Sequence, residues 1–159
     1  MLSCYAVGSI GWGLKRGLAA PLASGRRAVW VVCGLTLLAT VLLVRARVLR
    51  DFSYRYVAEH TSLDLPPLYA MSSLWAGQEG SLLLWLLILS AYGAAFLWCY
   101  RKRLDPFYDA VAMVVASVMV FFTGLLAFVC SPFRNLATPP ADGNGLNPLL
   151  QDPGMMIHP

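Results

Sequence analysis

The sequence predicts an all-α, multi-span transmembrane protein with three full spans, a truncated helix ahead of them and outward-facing loops. Three observations carry that reading. Of 159 residues, 58% are hydrophobic and only 13% are charged, against roughly 25% charged in an average soluble domain. Mean hydropathy is +0.64. The apolar residues also fall into uninterrupted runs, residues 28–44, 81–100 and 110–130, and a hydrocarbon core about 30 Å thick needs about 20 such residues in a helix.

Taken in order, residues 1–14 (MLSCYAVGSIGWGL) are apolar but too short to cross. Lys15 and Arg16 follow this run instead of preceding it, which is the wrong order for a signal peptide. The stretch reads as the tail of a helix whose beginning lies elsewhere. Residues 17–27, rich in Gly, Ala and Pro and ending in Arg26-Arg27, read as a loop. Residues 28–44 hold no charge and give roughly 25 Å of helix, which Arg45 and Arg47 extend to about residue 48 by snorkelling. Residues 51–80 read as a mixed outer loop, whose aromatics Phe52, Tyr54, Tyr56, Tyr69 and Trp75 suit an interface. Pro66-Pro67 excludes regular helix at that point.

The spans at 81–100 and 110–130 carry small residues four apart, Ser90 with Ala94 and Ala112 with Ala116, which lets helices approach closely in lipid. The link at 101–106 is short, so these two helices are antiparallel neighbours. Residues 131–159 form a second outer loop. Within it, Asn147-Pro148 is a helix-start signal, and Asp152-Pro153-Gly154 has the chemistry of a type II turn. Together, residues 1–159 read as one membrane-embedded unit.

The net charge of +4 comes from 12 Lys and Arg against 8 Asp and Glu. The basic residues cluster at the ends of apolar runs, which argues for membrane orientation and against nucleic acid. Lys15, Arg16, Arg26, Arg27, Arg101, Lys102 and Arg103 fall on one side and Arg45, Arg47, Arg50, Arg55 and Arg134 on the other. The larger group belongs in the cytoplasm, so the loops at 51–80 and 131–159 face outward. Cys4, Cys33, Cys99 and Cys130 form no C-x-x-C pair, and neither a disulfide framework nor a zinc site is indicated.

His158 follows three apolar residues, Met155, Met156 and Ile157, and Pro159 holds it extended. A neutral imidazole in such a setting is a good ligand for iron, but a surface-loop histidine explains the same pattern, and spacing leaves both open. Glu79, in the segment Trp75-Ala76-Gly77-Gln78-Glu79-Gly80, lies near a helix start where the macrodipole favours a carboxylate. It is either structural or a contact for a ligand or partner. Trp75 and Trp85 are packing aromatics or part of a flat surface for a porphyrin. His60 reads as a solvated loop histidine or a second imidazole, and the Met155 and Met156 thioethers as lipid contacts or iron ligands. No P-loop, G-x-S-x-G, H-E-x-x-H or dinucleotide fingerprint is present, and the apolar runs contain no charge that would mark an ion path.

Residues 68–85 (LYAMSSLWAGQEGSLLLW) and 145–159 (GLNPLLQDPGMMIHP), with Asp51-Phe52-Ser53, Tyr56-Val57-Ala58-Glu59 and Leu65-Pro66, resemble the amino-terminal portion of the CcmF/NrfE haem lyases of cytochrome c maturation. The resemblance runs from the second span onward. It departs at His60, where the family more often has a small polar residue, and at Ala76, where glycine is more usual. It implies a bacterial inner-membrane protein that takes haem b transiently from a periplasmic haem chaperone. It further implies partnership with apocytochrome c and its thiol-handling assembly subunits, within membrane lipid. The resemblance makes His158 alone an outward-facing haem ligand; beside it, the Trp75–Glu79 segment is read as a supporting outer-face element. Haem lyase (cytochrome c synthase) activity would need the remainder of the family's longer chain. The competing expectation is a membrane scaffold subunit that binds no cofactor.

Overall fold

The computed structural model describes residues 1–102, 105–152 and 154. Among the described residues six α-helices appear in the order α1 (Leu2–Arg16), α2 (Ala19–Val48), α3 (Arg55–His60), α4 (Pro67–Ser72), α5 (Gln78–Cys99) and α6 (Pro106–Gly124). A 3-10 turn at Ser73–Trp75 follows α4, a π turn at Leu125–Val129 continues α6, and a further 3-10 turn spans Pro148–Gln151. Three helical segments, Ala19–Val48, Gln78–Cys99 and Pro106–Val129, are long and apolar enough to cross a membrane. The described residues form two compact units, Met1–Leu38 with Trp85–Leu125, and Ala39–Leu84 with the described part of Leu126–Pro159.

In the first unit the region read as a loop is largely helix. Gly17 takes the left-handed conformation (φ 66°) and closes α1, and the Leu18 amide donates to the Gly13 carbonyl at 3.0 Å. Two residues therefore suffice to reverse the chain. Pro21 falls in the first turn of α2, where no intrahelical donor is needed. Ser9 Oγ donates to the Pro21 carbonyl at 2.8 Å and fastens the hairpin.

Helix α1 packs along α6. Ser90, Ala94, Ala112 and Ala116 are all buried, as their spacing predicts. The antiparallel run of α5 and α6 is fixed by Tyr108 Oη donating to the Leu97 carbonyl at 2.9 Å and by Phe96 stacked on Tyr108 at 5.5 Å. Asp105 caps α6 through the Tyr108 amide at 2.8 Å. Because the helices outrun the apolar stretches, they carry charge near their ends, and Arg26 of α2 pairs with buried Asp109 of α6 at 2.5 Å.

The second unit is not a mixed loop. Helices α3 and α4 and the start of α5 fold around three small apolar clusters, and Phe52 and Tyr56, expected at an interface, are buried within them. Pro66 is extended and Pro67 opens α4, so the proline pair begins a helix there. Residues 131–136 return to the α3 entrance. Tyr54 pairs with Asn135 in an antiparallel bridge, and the Arg55 amide donates to the Arg134 carbonyl at 2.9 Å.

Arg45 is exposed, in keeping with snorkelling, but Arg47 is fully buried. A charge out of water requires partners, and segment 70–73 supplies them. Arg47 Nε donates to Ser73 Oγ at 3.0 Å and to the Ala70 carbonyl at 3.3 Å, and Nη2 also meets Ser73 Oγ.

Candidate functional site: the ledge at residues 73–80

The site is built upward from Arg47. Its guanidinium carbon lies 4.7 Å from the centroid of the Tyr56 ring, a cation–π arrangement that gains strength when desolvated. The Tyr56 hydroxyl donates to the Leu74 carbonyl at 2.9 Å and accepts from the Gly77 amide at 3.1 Å. One phenol thus ties down both sides of the turn before α5. Burial raises the Tyr56 pKa, more than the neighbouring Arg47 lowers it, so the phenol remains a neutral donor.

This wiring explains the glycines of the Trp75-Ala76-Gly77-Gln78-Glu79-Gly80 segment. A Cβ on Gly80 would overlap the Leu74 carbonyl and the Tyr56 hydroxyl, and one on Gly77 would press into the His60 ring. His60 ends α3 half-buried, not solvated. Its ring lies 4.5 Å from that of Tyr56, and its Nδ1 is 3.0 Å from the Tyr56 carbonyl. A carbonyl can only accept, so Nδ1 carries the proton and His60 serves as a brace.

Trp75 sits in the 3-10 turn, half-buried against the cluster of Leu43, Tyr56, Leu74 and Leu83. Its carbonyl accepts from Ser81 Oγ at 3.1 Å. Trp85, its companion in the porphyrin-surface reading, lies in the first unit and is 64% exposed. Glu79 occupies the first turn of α5, as expected of a carboxylate there, and shares a crevice with Arg55, Arg134 and Cys130. Arg55 is held above its ordinary pKa chiefly by its hydrogen bond to Glu59 at 2.7 Å, with a smaller contribution from Glu79. Gln78 is exposed as the first residue of α5.

The second motif docks on the same ledge. The Asn144 amide donates to the Ala58 carbonyl at 2.8 Å and the Gly145 amide to the Thr61 carbonyl at 3.1 Å, which occupies acceptors that α3 leaves open at its end. Leu146 is buried with Leu65 and Ala70, and Tyr69, Ala76 and Leu150 pack around them. Asn147 caps the turn it was expected to start, its Oδ1 accepting from the Leu149 amide at 3.0 Å. Trp75, Ala76, Leu146 and Leu150 line one crevice. Pro153, and with it the expected type II turn, and residues 155–159, including Met155, Met156, Ile157, His158 and Pro159, lie outside the described residues, as do Arg103 and Leu104 of the α5–α6 link. Among the described residues no group of three or more His, Cys, Asp or Glu is placed to hold a metal ion.

Sequence reading missed Arg47, Tyr56 and Ser73. An arginine in the last turn of an apolar helix snorkels or turns inward, and the partner that decides between these, Ser73, lies 26 residues away.

Three membrane-length helices and a separately packed polar ledge define a multi-pass helical membrane protein. Residues 75–159 match the family model described as cytochrome C assembly protein. The chain belongs to that family. It is 38% identical to the cytochrome c-type biogenesis protein CcmF of Escherichia coli over its whole length, covering 24% of that protein. Over 83% of the chain it is 36% identical to the cytochrome c-type biogenesis protein NrfE of Haemophilus influenzae, covering 21%. A solved structure titled cytochrome c heme lyase CcmF superposes on 85% of the chain with a TM-score of 0.77 at 32% identity, covering 23% of that chain. The chain thus spans about a quarter of the length of the relatives it matches.

Proposed function

We propose that this chain takes part in cytochrome c maturation at the periplasmic face of a bacterial inner membrane, as part of a haem lyase, with His158 as an axial ligand to a transiently held haem b. The carrying observation is that the two motif segments, 68–85 and 145–159, meet on one ledge, where Leu146 and Leu150 pack with Ala76 and share a crevice with Trp75. The stem of the tail that carries His158 is therefore anchored beside Trp75. His60 turns its Nε2 against Gly77 while Nδ1 bonds the Tyr56 carbonyl, and His158 is the other imidazole of the chain.

The ledge suits the support of an axial ligand, since it offers the Trp75 turn held by hydrogen bonds from Tyr56 and Ser81, and His158 would supply the imidazole. When bound, haem supplies the vinyl groups to which the thiols of an apocytochrome add. The roles left to this chain are to present the His158 nitrogen, to keep the Trp75 turn rigid through Tyr56 and Arg47, and to place the Glu79 charge at the ledge's edge. A periplasmic haem chaperone and the apocytochrome with its thiol-handling subunits are the partners this assignment requires. The Lys and Arg distribution supports an outward ledge.

The chain purified from haem-replete cells should show a Soret band that His158→Ala weakens and added imidazole restores, whereas His60→Ala should leave the band in place. An unchanged band in His158→Ala overturns the ligand role. Hemin that keeps its free spectrum in the presence of the wild-type chain would favour the cofactor-free scaffold.

A further inference from the structure

A groove of about 430 Å³ in the first unit is lined by Arg26, Arg27 and Trp30 of α2, Trp98 of α5, Arg101 in the turn after it, and Tyr108 of α6. We propose that it binds the headgroup of an anionic phospholipid from the surrounding bilayer, independently of the ledge and its tail.

Charge complementarity is the first argument. Arg26 is neutralised by Asp109 at 2.5 Å. Arg27 and Arg101 have no ion-pair partner among the described residues, so the lining carries two uncompensated positive charges. Arg101 is also held in place. Its guanidinium carbon lies 4.0 Å from the Trp98 ring centroid, and Nη1 donates to the Trp98 carbonyl at 3.0 Å, which uses one donor and leaves the rest of the fork for phosphate oxygens.

The aromatic wall decides between lipid and soluble anion. Trp30 and Trp98 meet edge-to-face at 6.4 Å yet remain 44% and 58% exposed. Two half-exposed indoles in membrane-length helices, next to guanidiniums, match the interfacial zone where headgroup and glycerol meet the acyl chains. A free phosphate would engage the guanidiniums alone and make no contact that uses the exposed faces of those rings. Basic pockets between transmembrane helices are a known form of headgroup site, each nearby cation contributing on the order of 1 kcal/mol.

The test uses the full chain in micelles of neutral detergent, with tryptophan quenching by brominated phosphatidylglycerol. Saturable quenching is expected, while brominated phosphatidylcholine should quench only in proportion to its mole fraction. Arg27→Gln/Arg101→Gln should weaken the phosphatidylglycerol affinity about 30-fold, and Arg27→Lys/Arg101→Lys, which keeps the charge, should retain most of it. Both arginines lie outside the ion pairs of the fold, and unchanged helical circular dichroism will show that the variants are folded. Equal quenching by the two lipids, undiminished affinity in the glutamine pair, or displacement of the lipid by inorganic phosphate would each overturn the proposal.

Discussion

Arg47 is the residue on which the ledge turns. Its buried charge is met by Ser73, the Ala70 carbonyl and the Tyr56 ring, while Nη1 is buried without a hydrogen-bond partner among the described residues. Arg47→Ala removes those partners and leaves a void, so a loss of about 3 kcal/mol in denaturation in micelles is expected. Arg47→Met fills the space without a charge to desolvate and should restore most of that stability. Tyr56→Phe deletes the hydroxyl shared by Leu74 and Gly77 and should lose about 1–2 kcal/mol. Because burial raises the Tyr56 pKa in the folded state, its contribution is present below the ordinary phenol value and fades as pH rises through the folded one. Wild type should therefore lose stability above about pH 10 more steeply than Tyr56→Phe. Equal alkaline slopes for the two would contradict the buried-phenol assignment.

Helices in this chain obey two sets of signals of unequal visibility. Periodic small residues were legible because in lipid the gain from close backbone approach depends on local spacing alone, and Ser90, Ala94, Ala112 and Ala116 are buried accordingly. Ala116→Leu should overpack this face and lower the denaturation midpoint by the equivalent of about 1–3 kcal/mol. Loss of the Asp105 cap in Asp105→Ala should remove about 1 kcal/mol, read in the same assay. The start of α2 was not legible. Pro21 and Gly25 look like loop residues, yet proline is tolerated in a first turn, and Gly25 lies where a Cβ would strike Ile10 of α1. Composition alone does not distinguish a loop from a tightly packed hairpin.

At the scale of the molecule, the chain is a multi-pass membrane protein whose polar segments fold instead of merely connecting spans. The proposed orientation makes its own prediction. In a variant with its four native cysteines replaced, Asp64→Cys should react with a membrane-impermeant maleimide in spheroplasts, and Lys102→Cys only after permeabilisation. The reverse pattern would place the ledge in the cytoplasm and remove the basis for haem handling there. Both positions are described and exposed.

The sequence by itself determined the helical class, three membrane-length apolar segments, the cap at Asn147, and the motifs that mark the family. Each of these depends on local chemistry, since a bilayer requires every backbone amide to bond within its own helix, and a cap requires one side chain near one helix end. Only the tertiary structure decided that Arg47 turns inward, that His60 is a brace, and that residues 145–150 close against residues 70–76. Those outcomes depend on which groups share a desolvated space: Ser73 reaches Arg47 from 26 residues along the chain, Gly77 reaches Tyr56 from 21, and Leu146 joins Leu65 and Ala70, separations across which no periodicity carries information.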